Sequence, residues 1–405
     1  MGAGPMGGEV ADLARPMPGR AIINLDAITA NIALLRAKAG RAAFMAVVKA
    51  NGYGHGAVPV ARAALAAGAT WLGVAQVSEA LAVARALGGL PDGARLMTWI
   101  IGANGNLRAA AQAGLDVGVS TPGQAEAVAV ASGEAGAATR VHLKIDSGLG
   151  RAGAPPAFGQ WEALVRRALE LEADGLVKVV GVWSHFACSD DPGHPSVVAQ
   201  LEAFQAGVDQ AQALGARLEV RHIANSAALL TRDDVSFDLV RPGLAMYGLS
   251  PIPDLASAAQ LGLVPAMTLE SHLATVKRLP AGHGVSYGHL YHVPAGVGPA
   301  GSVTATVPLG YGDGIFRSAS DAAPVQVGGR RLRLCGRVCM DQFVVDLGPD
   351  STAEAGERVV LFGPGLDGEP TAQDWAEAAG TISYEITTRL PAHLPREYVG
   401  GVGNR

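Results

Sequence analysis

Residues 43–56 read AFMAVVKANGYGHG, and this stretch decides the fold. It begins with an apolar run of strand length, Ala43–Ala50, which carries a lysine, Lys49, at its end. A continuous apolar run is typical of a strand that is buried on both faces of a parallel sheet. The turn that follows lacks the GxGxxG pattern that a dinucleotide-binding, doubly wound sheet places after its first strand. The stretch therefore favours a barrel over an open doubly wound sheet.

Seven further strand-like runs follow, and Ala-rich segments of helical period separate them. The predicted strands are Trp71–Ala75, Leu96–Ile100, Asp116–Ser120, Arg140–Asp146, Val177–His185, Leu218–Asn225 and Leu239–Arg241. The predicted helices are Val58–Ala67, Glu79–Leu87, Gly123–Ser132, Trp161–Leu171 and Val198–Leu214. Eight alternating strands and helices in about 200–250 residues are the size of a (β/α)8 barrel. We predict an α/β fold with a TIM-like (β/α)8 barrel over residues 21–255.

The pattern changes after residue 255, where helices nearly vanish and Gly-rich turns separate short strands. These strands are Met267–Lys277, Ser302–Pro308, Ala323–Val327, Arg331–Leu334, Phe343–Leu347 and Arg358–Phe362. One helix is predicted at Thr371–Ala379. We therefore expect a mainly β C-terminal domain over residues 256–405. Residues 1–20 are rich in Gly and Pro and lack the apolar run of a signal peptide, so we expect a disordered tail there.

Composition narrows the function classes. The net charge of −5 and the absence of a basic run argue against nucleic-acid binding. No stretch reaches the roughly 18 apolar residues of a membrane span. The three cysteines have no metal-ligand spacing and are too few for a disulfide scaffold. We expect a cytoplasmic enzyme without a metal site.

Polar side chains collect at the ends of the predicted barrel strands, where the active sites of such barrels lie. They are Lys49, Lys144, Asp146, His185, Asn225, Ser226 and Arg241. A lysine after a buried strand is costly unless it reaches the rim or is chemically used. For Lys49 both interpretations stay open: a rim lysine, or a Schiff-base lysine in a partly desolvated pocket.

The motifs resemble those of the alanine racemase family. Residues 49–56, KANGYGHG, are similar to the motif whose lysine carries pyridoxal phosphate in that family. Further segments resemble family motifs in the same order: KIDSGLGR at 144–151, SHFA at 184–187, ANSA at 224–227, VRPG at 240–243, SYG at 286–288, GYGDG at 310–314, CMDQ at 339–342 and SYE at 383–385. The resemblance covers about residues 20–400.

The resemblance implies two catalytic residues. Lys49 would bind pyridoxal phosphate and act as one acid/base group, and Tyr287, from a partner subunit, would act on the opposite face. Two opposed groups suit a racemisation, which removes a proton from one face of Cα and returns one to the other. Each positioned group contributes about 10²–10⁴-fold. The family therefore implies a homodimer with shared active sites; a packed strand tyrosine is the alternative for Tyr287.

The resemblance also implies which residues contact the pyridine ring of the cofactor. Arg241 would face the pyridine nitrogen, where most pyridoxal-phosphate enzymes place a carboxylate. Since a guanidinium does not give up its proton in practice, the ring would stay neutral, which favours reprotonation over transamination. This argues against a decarboxylase. His185 would lie beside the ring. A structural ion pair for Arg241 and a satisfied barrel histidine for His185 are the alternatives.

The remaining cofactor contacts follow the same motifs. Tyr53, Ser226, Tyr384 and the backbone amides of Gly243 and Leu244 would bind the phosphate. Asn225 also belongs to the cofactor site. A helix that begins at Ser226 would suit an anion.

Substrate contacts complete the implied site. Arg151 would contact the cofactor's phenolic oxygen and the substrate carboxylate, and Lys144 corresponds to a lysine that many members carry as a carbamate. Tyr311 and Met340, with Tyr384, would narrow the entrance and so favour alanine.

The resemblance implies a racemase that supplies D-alanine for cell-wall peptidoglycan. A broader-specificity or serine racemase stays open, because one hydroxyl changes little in such a pocket. A non-catalytic pyridoxal-phosphate carrier is the second alternative. Such a carrier would need neither Tyr287 nor a β domain, and the presence of both in this sequence argues against it.

Overall fold

The computed structural model describes residues 18–102 and 105–401. Its first strand, β1 (Gly19–Asn24), belongs to a sheet of the second domain, and eight parallel strands after it form the barrel. The barrel strands are β2 (Ala43–Val47), β3 (Trp71–Gln76), β4 (Arg95–Ile100), β5 (Asp116–Val119), β6 (Thr139–Lys144), β7 (Val177–Trp183), β8 (Val220–His222) and β9 (Leu239–Val240). The predicted α/β barrel is confirmed.

The barrel strands pair in the order β8-β7-β6-β5-β4-β3-β2-β9. Backbone hydrogen bonds close the gap between the two end strands, from Asp238 N to Arg221 O (3.2 Å) and from Arg241 N to Ala224 O (3.0 Å). Since all strands run in one direction, their carboxyl ends meet at a single mouth of the barrel.

Helices surround the barrel and bury one face against it. They are α1 (Leu25–Ala39), α3 (Ala57–Ala66), α4 (Val77–Leu87), α5 (Leu107–Gln112), α6 (Pro122–Ala135), α7 (Gln160–Ala173), α8 (Pro195–Ala213) and α9 (Ser226–Thr231). The short segment α2 (Lys49–Tyr53) is instead a left-handed turn after β2. In α7 the residues that repeat at helical spacing, Trp161, Leu164, Val165 and Ala168, have no exposed surface. This stripe packs against the sheet, as the 3.6-residue period predicts.

The second domain is mainly β, as predicted. Its strands are β10 (Met267–His272), β11 (Thr275–Leu279), β12 (Gly284–Val285), β13 (Tyr291–His292), β14 (Ser302–Val307), β15 (Pro324–Val327), β16 (Arg330–Arg333), β17 (Phe343–Gly348), β18 (Arg358–Phe362) and β19 (Arg396–Val399). Two helices, α10 (Ala372–Ala379) and α11 (Ser383–Thr388), follow β18. Single 3-10 turns lie at Ala157–Gly159, Leu244–Tyr247, Tyr287–His289, Ala295–Val297, Tyr311–Asp313 and Arg317–Ala319.

A six-stranded sheet in the order β16-β15-β18-β10-β1-β19 and a three-stranded sheet, β11-β14-β17, organise the second domain. The start of the chain differs from the expectation. A tail through Arg20 is predicted, whereas Gly19 and Arg20 already pair with Ser271 and Glu270. Residues 1–17 of the predicted tail lie outside the described residues.

Several predicted strands also end earlier or break: the runs predicted to reach Asp146, His185 and Asn225 end at Lys144, Trp183 and His222. The strand predicted to reach Ala50 ends at Val47, and the strand predicted over Met267–Lys277 is interrupted between His272 and Thr275. At Leu273 and Ala274 the chain passes from one sheet of the domain to the other, which a period-2 pattern cannot reveal.

Candidate active site

A cavity of about 480 Å³ opens at the carboxyl ends of the barrel strands. Basic and phenolic side chains dominate its polar lining, which includes no carboxylate among the residues the structure describes. The lining residues are Val47, Lys49, Tyr53, Ala75, Trp99, Ile100, Lys144, Arg151, Ala152, Trp183, His185, Asn225, Ser226, Arg241, Gly243, Leu244 and Tyr384. Such a lining suits an anionic ligand with an aromatic or apolar body.

Lys49 begins a backbone turn of unusual hand. Ala50 (φ 50, ψ 50), Asn51 (φ 53, ψ 48) and Gly52 (φ 62, ψ 45) are left-handed, and Tyr53 also has a positive φ of 52. A left-handed residue other than glycine costs roughly 1–2 kcal/mol. Such strain persists only where surrounding contacts over-determine it, which is common at functional sites.

Contacts from both domains hold this turn. The Ala50 amide donates to Glu79 Oε1 (2.8 Å), and Asn51 Oδ1 accepts from the Ala57 amide (3.0 Å). A Cβ on Gly54 would lie 2.0 Å from the carbonyl oxygen of Thr387 in α11. The second domain therefore packs so closely against the turn that no side chain fits at position 54.

The environment of Lys49 favours its neutral amine. Burial lowers the pKa of Lys49, and the nearby guanidinium of Arg151 lowers it further, while Glu79 acts in the opposite direction. The Nζ atom lies 5.8 Å from the ring centroid of Tyr53. A neutral amine at the mouth of a barrel can act as a nucleophile or as a base.

Backbone amides and hydroxyl groups converge at one end of the cavity. Ser226 Oγ accepts from the amides of Gly243 (2.9 Å) and Ala245 (3.3 Å). Tyr53 packs so close to Gly243 that a Cβ there would lie 2.3 Å from its hydroxyl oxygen. The ring centroids of Tyr53 and Tyr384 are 6.1 Å apart. Burial raises the pKa of Tyr384 to about 12 and that of Tyr53 further, so both phenols remain donors at neutral pH.

The helix predicted to begin at Ser226 does so, but its capping residue is the one before it. Asn225 Oδ1 accepts from the Ala228 amide (3.0 Å), and its Nδ2 donates to Ser189 Oγ (2.8 Å). Asn225 therefore caps α9, which leaves the Ser226 hydroxyl free to bind the loop at Gly243.

Arg241 lies on the floor of the cavity and is buried. Its Nη2 donates to the carbonyl oxygen of Ser184 (2.6 Å), and its Nη1 donates to His222 Nδ1 (2.9 Å). Burial lowers the pKa of Arg241 to about 9, which still leaves it protonated at neutral pH. His185 lies 3.4 Å from Nη2, and burial, together with Arg241, lowers the pKa of His185 well below its ordinary value.

Lys144 is a buried cation among other cations. Its Nζ lies 4.3 Å from the ring centroid of Trp183. Burial, followed by the charges of Arg151 and Arg241, lowers the pKa of Lys144 to about 8. The indole Nε1 of Trp183 is buried and has no hydrogen-bond partner among the described residues. An anionic group in this corner would meet several unused donors.

Three of the predicted site residues lie elsewhere in the same chain. Tyr287, Tyr311 and Met340 are on the second domain, do not line the cavity, and are 72%, 39% and 55% exposed. Their loops are joined to one another, because Tyr311 N donates to Cys339 O (3.0 Å) and Gly312 N to Met340 O (2.8 Å). Ser286 Oγ donates to Arg337 O (2.8 Å), so Tyr287 belongs to the same surface.

Sequence reasoning missed two aromatic cavity residues, Trp99 and Trp183, and one buried residue beneath the cavity, His222. The last two lie at the ends of β7 and β8, where polar residues were sought, but an indole in an apolar run gave no signal. His222 follows Arg221 in a run that indicated only a strand.

Comparison with known proteins agrees with the motifs. The profile of the alanine racemase N-terminal domain matches residues 23–251, and that of the C-terminal domain matches residues 266–398. The chain is similar to the alanine racemase of Streptomyces coelicolor, with 55% identity over 94% of this chain and 95% of that one. It is 51% identical to the alanine racemase of Frankia casuarinae, over 94% and 96% of the two chains.

Solved structures give the same result. The alanine racemase structure from Streptomyces coelicolor superposes with a TM-score of 0.91 and covers 95% of this chain and 98% of that one, at 55% identity. The structure from the D-cycloserine-producing Streptomyces lavendulae also has a TM-score of 0.91, over 96% and 98% of the chains, at 52% identity. Fold and site define an isomerase of the racemase class. The chain belongs to the alanine racemase family, as its motifs predicted.

In the ranges 18–102 and 105–401, none of the helices combines the length and the apolar character needed to span a bilayer. The same residues contain no group of three or more His, Cys, Asp or Glu side chains arranged to hold a metal ion.

Proposed function

We propose that the chain interconverts L-alanine and D-alanine with pyridoxal phosphate bound in the cavity, and so supplies D-alanine for cell-wall peptidoglycan. The observation that carries this is the pairing of one half-buried lysine of lowered pKa with a carboxylate-free, cationic cavity. Membership of the alanine racemase family supports the substrate.

The residues present fit the cofactor. An anionic phosphate suits the end formed by Tyr53, Ser226, Tyr384 and the amides of Gly243 and Leu244, where the absent Cβ of Gly243 leaves room for the Tyr53 hydroxyl. The Gly243 amide, which donates to Ser226 Oγ in this structure, would donate to the phosphate instead. An aldehyde requires a neutral amine, which the environment of Lys49 favours. When bound, pyridoxal phosphate supplies an electron sink that acidifies the Cα proton of the amino acid.

The protein's own groups then handle the proton and the substrate. The amine Nζ of Lys49 would take the Cα proton from one face of the substrate. Arg151, at the rim, would bind the substrate carboxylate with its planar fork of donors. Arg241 would hold the ring nitrogen without protonating it, His185 would pack beside the ring, and Asn225 would keep Ser226 in place.

The second proton group would be Tyr287 of a partner subunit in a two-fold homodimer. Exposure supports this arrangement: Tyr287, Tyr311 and Met340 form one surface that is far more open to solvent than residues of a finished site usually are. The phenol hydroxyl would deliver a proton to the face opposite Lys49, and in the reverse direction the two groups exchange roles. Tyr311 and Met340 would narrow the entrance from the same partner and restrict the substrate to alanine.

Lys144 would act as a carbamate. A pKa of about 8 leaves part of the amine neutral near pH 7.5 and therefore able to react with CO2. The resulting anion would accept from Arg151 and orient it. It would also remove a buried like-charge repulsion.

A complementation experiment tests function and subunit sharing together. Lys49→Ala and Tyr287→Phe homodimers should each be inactive in the conversion of L-alanine to D-alanine. After equal amounts are mixed and subunits exchange, half of the dimers are heterodimers, and each heterodimer has one intact site of two. About a quarter of wild-type activity should therefore return. This recovery is easy to measure, because loss of either residue alone should lower the rate about 10²–10⁴-fold.

The controls are each variant exchanged with itself, which should stay inactive. No recovery after verified exchange would contradict the shared site. A faster turnover of L-serine than of L-alanine by the wild type would favour the serine racemase, and a pyridoxal-phosphate-loaded protein without any racemisation would favour the carrier.

A further inference from the structure

Three buried polar side chains below the cavity floor have no role in the proposed reaction. Asp116 ends up in the barrel interior at the start of β5, His142 lies on β6 and His222 on β8, and all three are 0% exposed. They connect in series to Arg241. His222 Nδ1 is 2.9 Å from Arg241 Nη1, His222 Nε2 is 3.0 Å from His142 Nδ1, and His142 Nε2 is 3.1 Å from Asp116 Oδ2.

The hydrogen-bond direction in this series follows from Arg241. A guanidinium can only donate, so His222 Nδ1 must accept and its proton must be on Nε2. His222 Nε2 then donates to His142 Nδ1, whose own proton must be on Nε2, where it meets the Asp116 carboxylate. Only this arrangement, with both rings neutral, satisfies every buried group.

We propose that Asp116, His142 and His222, here termed the imidazole chain, position Arg241 by locking His222 in the Nε2–H tautomer. The proposal about the imidazole chain rests on the proposed function in one respect, namely that Arg241 faces the cofactor ring. The protonated nitrogen of an imidazole is set by the hydrogen bond its other nitrogen makes, so the Asp116 carboxylate at one end and Arg241 at the other select the same tautomer in both rings.

The two imidazole rings keep the Asp116 carboxylate away from Arg241 and from the cofactor ring. Arg241 contacts no carboxylate among the described residues, whereas Asp116 is paired with Arg140, whose Nε lies 3.0 Å from Oδ2, and with Arg95 at 4.0 Å. A carboxylate directly on Arg241 would bring an acid close to the ring nitrogen. The Asp116 carboxylate instead acts through two imidazoles. It therefore orients the guanidinium of Arg241 but offers no exchangeable proton at the cofactor.

Neighbouring rings keep the imidazole chain in place. Trp183 stacks on His222 with centroids 5.8 Å apart and an interplanar angle of 7°, and Trp71 contacts His142 edge-on at 5.5 Å. Burial and the charge of Arg241 lower the pKa of His222 well below its ordinary value, in agreement with a neutral ring. These contacts hold the planes of the two rings, and the hydrogen bonds at both nitrogens fix which edge of each ring faces which partner.

The direct test is the tautomer. In protein labelled with ¹⁵N-histidine, long-range ¹H–¹⁵N correlation spectra should show neutral Nε2–H rings for His142 and His222, with and without pyridoxal phosphate. A His222 ring with its proton on Nδ1, or on both nitrogens, would overturn the proposal. Because the spectra are also recorded without cofactor, they test the imidazole chain even if no racemisation is found.

Variants test its effect. His142→Leu removes the acceptor of the His222 Nε2–H proton and leaves only Arg241 to select the tautomer. A second His222 tautomer should therefore appear in the spectra, and kcat should fall about tenfold with less than a threefold change in KM. His142→Asn, whose amide oxygen can replace Nδ1 as the acceptor, should restore both the tautomer and kcat to within about threefold. Ser132→Ala is the matched control, since Ser132 is buried, bonds only Val128 O and Thr139 Oγ1, and should change neither readout.

A purely structural role for His142 predicts a different pattern, in which both His142 variants lower thermal stability but leave the His222 tautomer unchanged. That result, or an unchanged kcat in a folded His142→Leu protein, would also overturn the proposal.

Discussion

Arg396 in β19 donates from Nε to the carbonyl oxygen of Gly54 (3.1 Å), and so joins the last strand of the chain to the turn that follows Lys49. Its Nη atoms donate to the carbonyl oxygens of Pro391 (2.6 Å), Leu394 (2.7 Å) and Leu390 (2.8 Å). The second domain therefore contributes directly, within one chain, to the shape of the turn that follows Lys49.

We expect Arg396→Lys to raise the dissociation constant of pyridoxal phosphate about tenfold and to lower the free energy of unfolding by about 1–3 kcal/mol, because several carbonyl groups lose their donor. Cofactor titration by absorbance and urea unfolding measure the two effects. Arg166→Lys, in an exposed pair with Glu162, is the control and should alter neither. Unchanged cofactor affinity in Arg396→Lys would refute the link to the loop.

Glu79 holds the other side of the same turn. Its carboxylate accepts from the amides of Ala50 (2.8 Å), Ala75 (3.1 Å) and Gln76 (3.0 Å). Glu79→Gln would turn an NH2 group toward at least one of these donors, so we expect a loss of about 1–2 kcal/mol in the free energy of unfolding and weaker cofactor binding. Urea titration of the variant beside Glu126→Gln, which loses only an exposed pair with Arg167, makes the comparison. Equal stability of the two variants would speak against a role for Glu79 in the turn.

Gly243 tests the phosphate end of the cavity. A Cβ on this residue would lie 2.3 Å from the Tyr53 hydroxyl oxygen. We expect Gly243→Ala to weaken pyridoxal phosphate binding at least about tenfold, the equivalent of roughly 1.4 kcal/mol. Gly123→Ala in α6 meets no atom within 4 Å and should bind the cofactor normally. The prediction fails if the two variants bind alike.

The carbamate at Lys144 is open to direct observation. The amine lone pair of Nζ forms the N–C bond to CO2 and one proton leaves to solvent. With ¹³C-bicarbonate, wild-type protein should give one carbamate carbon signal in its NMR spectrum, which Lys144→Met should lack. Lys178→Met, at an exposed lysine paired with Glu219, should retain the signal. A signal that survives Lys144→Met would assign the carbamate elsewhere.

Lys144 also predicts a pH dependence in CO2-free buffer. Its folded-state pKa of about 8 lies below the ordinary 10.5, so between these values the unfolded chain binds a proton that the folded protein has released. The free energy of unfolding attributable to Lys144 should therefore rise from pH 8 to pH 10.5. Lys144→Met should be more stable than wild type by at most about 3 kcal/mol below pH 8, and the difference should shrink toward pH 10.5. A pH-independent difference would contradict the depressed pKa.

The barrel and the residues around its mouth were predictable because local patterns carry them. A buried parallel strand reads as a continuous apolar run, and a polar residue such as His185 or Arg241 at its end marks the site. The left-handed turn was not predictable, since Ala50, Asn51 and Tyr53 adopt a positive φ only because Glu79 and the second domain hold them there. Apolar periodicity instead extended the strand into this turn.

Contacts between distant parts of the chain were equally out of reach. Asp116, His142 and His222 lie on three different strands, and nothing local shows that they meet in series beneath Arg241. The same applies to Arg396 at Gly54. Predicted contacts across a subunit boundary, such as that of Tyr287, depend on the family resemblance and stay predictions.

Strand β1, which lies between β10 and β19, has a consequence for biosynthesis. Residues 19–24 are made before the barrel, but their partners at 267–272 and 396–399 are made after it. At about 5–20 residues per second, the segment waits unpaired for roughly tens of seconds. The barrel can form meanwhile, yet the second domain cannot complete its sheet until residues 396–399 have been made. A gene divided between the two domains would accordingly encode one fragment with an orphan strand and another with a missing one.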